Sequence, residues 1–124
     1  MEAAKDPDRE HPVAEAWRPT LRAIVDALVE GDYALSRGLP NVAPVTTEAA
    51  KQMRDYVVDY GESLIPLPAE AWTTSVSQWN SRMGWDVLVD LWTRESGRSD
   101  MVLDLRALET GDGVQFEVRL IYVP

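Results

Sequence analysis

The chain has 124 residues, enough for one domain with a core of its own. It has no cysteine, which excludes disulfides, thiolate metal sites and cysteine nucleophiles. Its 21 acidic against 12 basic residues leave a net charge of −9, which repels phosphate backbones and argues against a nucleic-acid partner.

The opening residues, MEAAKDPDREHP, are charged and carry Pro7 and Pro12. They read as a disordered tail over 1–12, without the apolar stretch of a secretory signal. No apolar run approaches the ~20 residues of a membrane span, so the expected setting is cytoplasmic, away from membranes.

A single domain is expected over 13–124. Within VAEAWRPTLRAIVDALVEGDY, residues Trp17, Leu21, Ile24, Val25 and Leu28 recur at helical spacing. Pro19 either stands in the first turn of that helix or kinks it, and Gly31 suits its stop. The stretch DYALSRGLPNVAPV over 32–45 is a long connection of the kind that carries function in other proteins, or that simply drapes over a core. A second helix is predicted in TTEAAKQMRDYVVDYG, capped by Thr46 or Thr47 and closed by Gly61. ESLIPLPAEAW then crosses to the strands.

From Trp72 the period becomes two. WTTSVSQW, WDVLVDLW, DMVLDLRAL and VQFEVRLIYV read as four strands with short connections. The predicted fold is α+β: two N-terminal helices packed on one face of a four-stranded antiparallel meander sheet. Alternation puts Trp85, Val87, Val89 and Leu91, then Met101, Leu103, Leu105 and Ala107, then Val114, Phe116, Val118, Leu120 and Tyr122 toward the helices. The opposite face receives Asp86, Leu88, Asp90, Trp92, Val102, Asp104 and Ile121. A hairpin loop at Thr110–Gly113 sets Arg106 opposite Glu117 and Asp104 opposite Arg119, and the preceding hairpin sets Asp86 beside Arg106.

Those arginines hold the neighbouring carboxylates ionised, which weakens an acid–base role for Asp86, Asp104 and Glu117. The one histidine, His11, lies in the expected tail, and no glycine-rich phosphate loop has the strand–loop–helix context such loops need. Asp26, Asp32, Asp55 and Asp59 hold a cation only if folding gathers them. ESGRSD is a polar turn flanked by arginines, with the alternative that it receives a carboxylate or phosphate. No catalytic, cofactor-binding or metal-ligating residue is assigned.

WDVLVDLWTRESGRSD, VDALVEGDY, DYGESLIPLP and the terminal LIYVP together resemble a small bacterial domain family of unknown function, over roughly residues 13–124. The resemblance carries no catalytic residue. By analogy of class, compact domains of this sort include members of toxin–immunity pairs. The expected function is a non-enzymatic, immunity-like protein-interaction module. Its interface is the acidic sheet face with Trp92, Leu88, Asp86, Asp90, Val102, Asp104 and Ile121, and its partner is a basic protein or a second copy of the chain; the alternative for Trp92 is that the 62–71 connection or the tail folds back over it. The alternative is a small-molecule-binding or catalytic domain with a pocket between helices and sheet near Tyr33 and residues 32–45.

Overall fold

The structure, a computed structural model, describes residues 3–80 and 84–124. Met1 and Glu2 of the expected tail lie outside them. The chain forms strand β1 (His11–Pro12), a 3-10 turn (Glu15–Trp17), helices α1 (Arg18–Val29), α2 (Thr47–Tyr60) and α3 (Ala71–Thr74), and strands β2 (Val76–Trp79), β3 (Gly84–Thr93), β4 (Gly97–Thr110) and β5 (Gly113–Tyr122).

The long helices begin and end for the expected reasons. Pro19 occupies the first turn of α1, where an N–H has no intrahelical partner to lose. Thr46 Oγ1 accepts from Ala49 N at 3.0 Å to cap α2. Gly61, at φ +83°, closes α2 in the left-handed region and donates to Val57 O.

The sheet is antiparallel throughout, in the order β1-β2-β3-β4-β5. Among the described residues it therefore has five strands where four were expected. The additional strand is β1, whose His11 and Pro12 pair with Ser77 and Val76 of β2. The first predicted strand is also shorter. Residues 71–74 coil into α3 because a turn at Pro68 starts there: Ala71 N donates to Pro68 O and Thr73 Oγ1 to Glu70 O. The strand propensity of Trp72 and the two threonines gives way to that local bonding.

Leu21, Ile24, Val25 and Leu28 of α1 and Met53 and Val57 of α2 join Trp85, Val87, Val89, Leu91, Met101, Leu103, Leu105, Phe116 and Val118 in one core. Trp17 meets Trp85 edge-on at 5.0 Å between centroids and Phe116 at 5.7 Å, and Trp79 meets Trp85 at 4.9 Å, so one end of this core is aromatic.

Two irregularities alter the predicted faces. Asp104 pairs with Leu120 but Leu105 with Val118, which leaves Arg119 as an extra residue in β5. Beyond that bulge the alternation inverts: Ile121, expected outside, is 0% exposed in the core, while Leu120 and Tyr122 turn to the other face. The second irregularity lies between β3 and β4. Asp90 pairs with Val102 but Trp92 with Arg98, so β4 carries two additional residues there and parity is kept.

The β5 edge of the sheet is covered. Phe116 N donates to Asn41 O and Phe116 O accepts from Ala43 N, both at 2.8 Å. Farther along β5, the Gln52 amide donates to Ile121 O and accepts from Ile121 N, and Tyr56 Oη accepts from Val123 N. Asp32 shapes the loop that delivers Asn41 by accepting from Ser36 N and Oγ. Residues 32–45 thus close a sheet edge. At the far edge, β1 ends in a proline, which cannot donate to another strand.

Candidate interaction surface

All the buried apolar residues of α1 and α2 belong to the core on one face of the sheet. The opposite face carries Val76 and Gln78 of β2, Asp86, Leu88, Asp90 and Trp92 of β3, Arg98, Val102, Asp104, Arg106 and Leu108 of β4, and Gln115, Glu117, Leu120 and Tyr122 of β5. Leu88, Val102, Leu108, Leu120 and Tyr122 stand apart from the core cluster. Antiparallel sheets commonly leave one face to water, and the alternation here follows that pattern.

Of the residues expected on this face, Asp86, Leu88, Asp90 and Asp104 lie there. Val102 does too, but at 5% exposure it is already covered by its neighbours. Trp92 is part-buried and packs against the core, because Leu64 bridges Thr93 and Ile65 N donates to Trp92 O at 3.0 Å, bringing the 62–65 segment alongside. It is not a free-standing anchor. Ile121 is removed from the face by the Arg119 bulge. Leu120 and Tyr122 take its place, and an unseen insertion is what hid them from period-two reading.

The charges follow the register. Arg106 pairs across the ladder with both Asp86 and Glu117, as expected. Arg119, displaced by its bulge, reaches Asp86 Oδ1 at 3.7 Å rather than standing opposite Asp104, and Arg106 Nε lies 3.7 Å from the same oxygen. Both distances exceed a hydrogen bond, and Arg106 Nε has no hydrogen-bond partner among the described residues. Asp90 is tied down instead: Ser75 Oγ accepts from its N–H and Thr74 Oγ1 donates to its carboxylate.

Asp104 lies between Leu88 and Leu120 on the two flanking strands. Burial there raises its carboxyl pKa above the usual value; Arg119 opposes the rise, Asp86 adds to it and Arg106 opposes it. The folded chain therefore holds this proton at a pH where the unfolded chain has released it, and stability falls as pH rises through that window. Asp104→Asn should melt at or above the wild-type temperature at neutral pH, with the gap closing once the solution falls below the ordinary aspartate value of about 4. Melting curves at the two pH values check this, and a gap independent of pH would contradict it.

Elsewhere the expected alternatives find little support in the geometry. Among the described residues no three His, Asp or Glu side chains gather into a metal-sized group. Asp55 is engaged by Lys51 at 2.6 Å, and His11 by Asp6 at 3.1 Å. The ESGRSD turn does receive a carboxylate, and it is the chain's own: Glu62 accepts from Thr93 Oγ1 at 2.6 Å and from Ser96 Oγ at 2.9 Å. Tyr33 packs against the core, and three surface concavities are lined by other segments than 32–45. No helix among the described residues is long and apolar enough to cross a membrane.

No curated protein and no solved structure matches the chain. A family model does, over residues 25–124, which takes in the last turn of α1 and everything after it, including the whole of β2 to β5. The chain belongs to that family, described as a domain of unknown function, DUF7668.

Proposed function

We propose that the protein is a non-enzymatic binding module that engages a basic protein partner through the helix-free face of its sheet, in the manner of an immunity protein. The observation that carries the reading is the pairing of Leu88 and Leu120 around Asp104 on that face, outside the core. A half-buried apolar centre with a charged surround has the anatomy of a protein interface. The surround holds Asp86, Asp90, Asp100, Asp104 and Glu117 against Arg98, Arg106 and Arg119, and the chain as a whole stands at −9. Such a field steers a basic partner and disfavours an acidic one. The loosely held Arg106 and Arg119 are free to regroup when a partner excludes water from them.

Leu88→Ser combined with Leu120→Ser tests this. The double variant should melt within a few degrees of wild type, since neither leucine is in the core, yet lose a stoichiometric basic partner captured from the native host and identified by mass spectrometry. Light scattering run in parallel separates a second copy as the partner. Retention of the same partners and the same mass by the variant overturns the reading.

A further inference from the structure

We propose that the aromatic end of the fold is a second binding site, a groove that reads a lysine within an extended basic peptide, and that residues 3–12 of the chain occupy it in cis. The site lies at the end of the sheet away from Asp90 and Trp92, and the inference does not depend on the function proposed above.

The case begins with how residues 3–12 are held. Of their apolar side chains only Ala3 packs on the core. The remaining contacts are those by which a protein recognises an extended ligand. Trp85 Nε1 donates to Ala4 O at 2.9 Å, and Gln78 Nε2 donates to Pro7 O at 2.8 Å. His11 and Pro12 add a strand to β2. Main-chain bonding of this kind gives affinity without regard to sequence, and specificity then comes from a side-chain pocket. Here that side chain is Lys5: its Nζ stands 5.2 Å from the centroid of the Trp79 ring and 3.0 Å from Glu109 Oε2. An indole face with a carboxylate beside it is a receptor for an ammonium group.

Two features mark the cis segment as a poor fit. First, the groove continues past it. A cavity of about 310 Å³ opens between Trp17, Trp85 and the Thr110–Val114 turn, with Ala3 and Lys5 on its near wall. A methyl group at position 3 leaves it unfilled, whereas a larger apolar residue two places before the lysine enters it. Second, the charge is mismatched. Residues 3–12 carry Asp6, Asp8 and Glu10 against Lys5 and Arg9, so a segment of −1 lies on a body, residues 13–124, that itself holds −7. Lys5 keeps half its side chain in water. A basic peptide with the same lysine has better electrostatic complementarity and displaces the segment at little expense, because so few of its atoms are buried. The segment also lies outside the residues matched by the family model, whereas Trp79, Trp85 and Glu109 lie within them.

The probe is a synthetic twelve-residue peptide that copies residues 1–12 with the acids at 2, 6, 8 and 10 changed to glutamine and Ala3 changed to leucine. It is titrated into the full chain while the Trp85 indole N–H resonance and tryptophan emission are followed. Saturable binding is expected. It should tighten roughly two- to fivefold for the full-length Lys5→Ala variant, the span that one exposed cation–π contact supports when the cis competitor is weakened. It should be lost or greatly reduced for Glu109→Gln, whose thermal melt serves as the folding control. It should likewise be lost when the peptide lysine is replaced by norleucine. Absence of binding to both the wild-type and Lys5→Ala chains overturns the proposal, as does equal binding of the norleucine peptide. A concentration-dependent dimer of the wild-type chain that Glu109→Gln abolishes would assign the groove to a second copy's N-terminal segment and overturn it as well.

Discussion

Phe116→Ala is expected to lower the unfolding free energy by about 3–5 kcal/mol, the range for deleting a buried aromatic ring. Phe116 is 3% exposed, and Trp17 stands over it at 82° between ring planes. Its partner across the ladder is Ala107, too small to lean into the space left behind. The surrounding Trp17 and Trp85 are themselves pinned edge to face, so collapse around the cavity is restricted and the loss should fall in the upper part of the range. The backbone bonds from Phe116 to Asn41 and Ala43 survive the substitution, so the measured value belongs to the ring. Urea denaturation with an unchanged slope is the appropriate measurement. A variant as stable as wild type would place Phe116 on the wrong side of the sheet.

The second large effect separates neighbours. Ile121→Ala should lose about 2–5 kcal/mol, as buried Ile-to-Ala truncations do, while Leu120→Ala should lose well under half as much. Strict alternation from Phe116 would predict the reverse order, since it puts Leu120 inside. The difference rests on Arg119 alone, the residue that β5 inserts between the partners of Leu105 and Asp104. Gln52 grips the Ile121 main chain from both sides and is undisturbed by the substitution, so the comparison reports side-chain burial and not loss of the edge contact. Equal losses at both positions would mean that the bulge does not exist in solution.

What could be read ahead of the structure follows from the range of the interactions involved. Helix limits depend on groups within one turn, and Thr46, Gly61 and Pro19 act as their chemistry dictates. Strand faces depend on a period of two that Trp85 to Leu91 and Met101 to Ala107 display without interruption. The pairings of Asp86 with Arg106 and of Arg106 with Glu117 were legible because opposite charges on facing strands have few alternatives. The bulge at Arg119 was not, since a single inserted residue leaves no compositional mark. Nor was β1: His11 and Pro12 carry no strand signal, and they pair only because β2 offers an edge beside them. The same limit applied to the candidate surface. Its acidic half was visible, and so was the possibility that the 62–71 connection runs alongside Trp92, as residues 62–65 do, leaving the ring part-buried; the inversion beyond Arg119, which exchanged Ile121 for Leu120 and Tyr122, was not. The assignment of residues 32–45 to edge protection required knowing that β5 ends the sheet.

That protection has a consequence for how the chain reaches its folded state. The groups that seal β5 come from residues 41, 43, 52 and 56, and those that seal β2 from residues 11 and 12 of β1, all of which precede β2 to β5 in sequence. During synthesis, when domains fold from the N-terminus forward, the seals exist before the strands that need them. β5 emerges last and meets its covering helix already made, so an unpaired strand is exposed to other chains only briefly. The arrangement relies on contacts distant in sequence, which slows folding, but it confines the slow step to an intermediate whose sticky edge closes as soon as it appears. A fragment beginning after α2 would have no such order of events. It would carry the same hairpins with both borders open, and its fate at micromolar concentration would be aggregation.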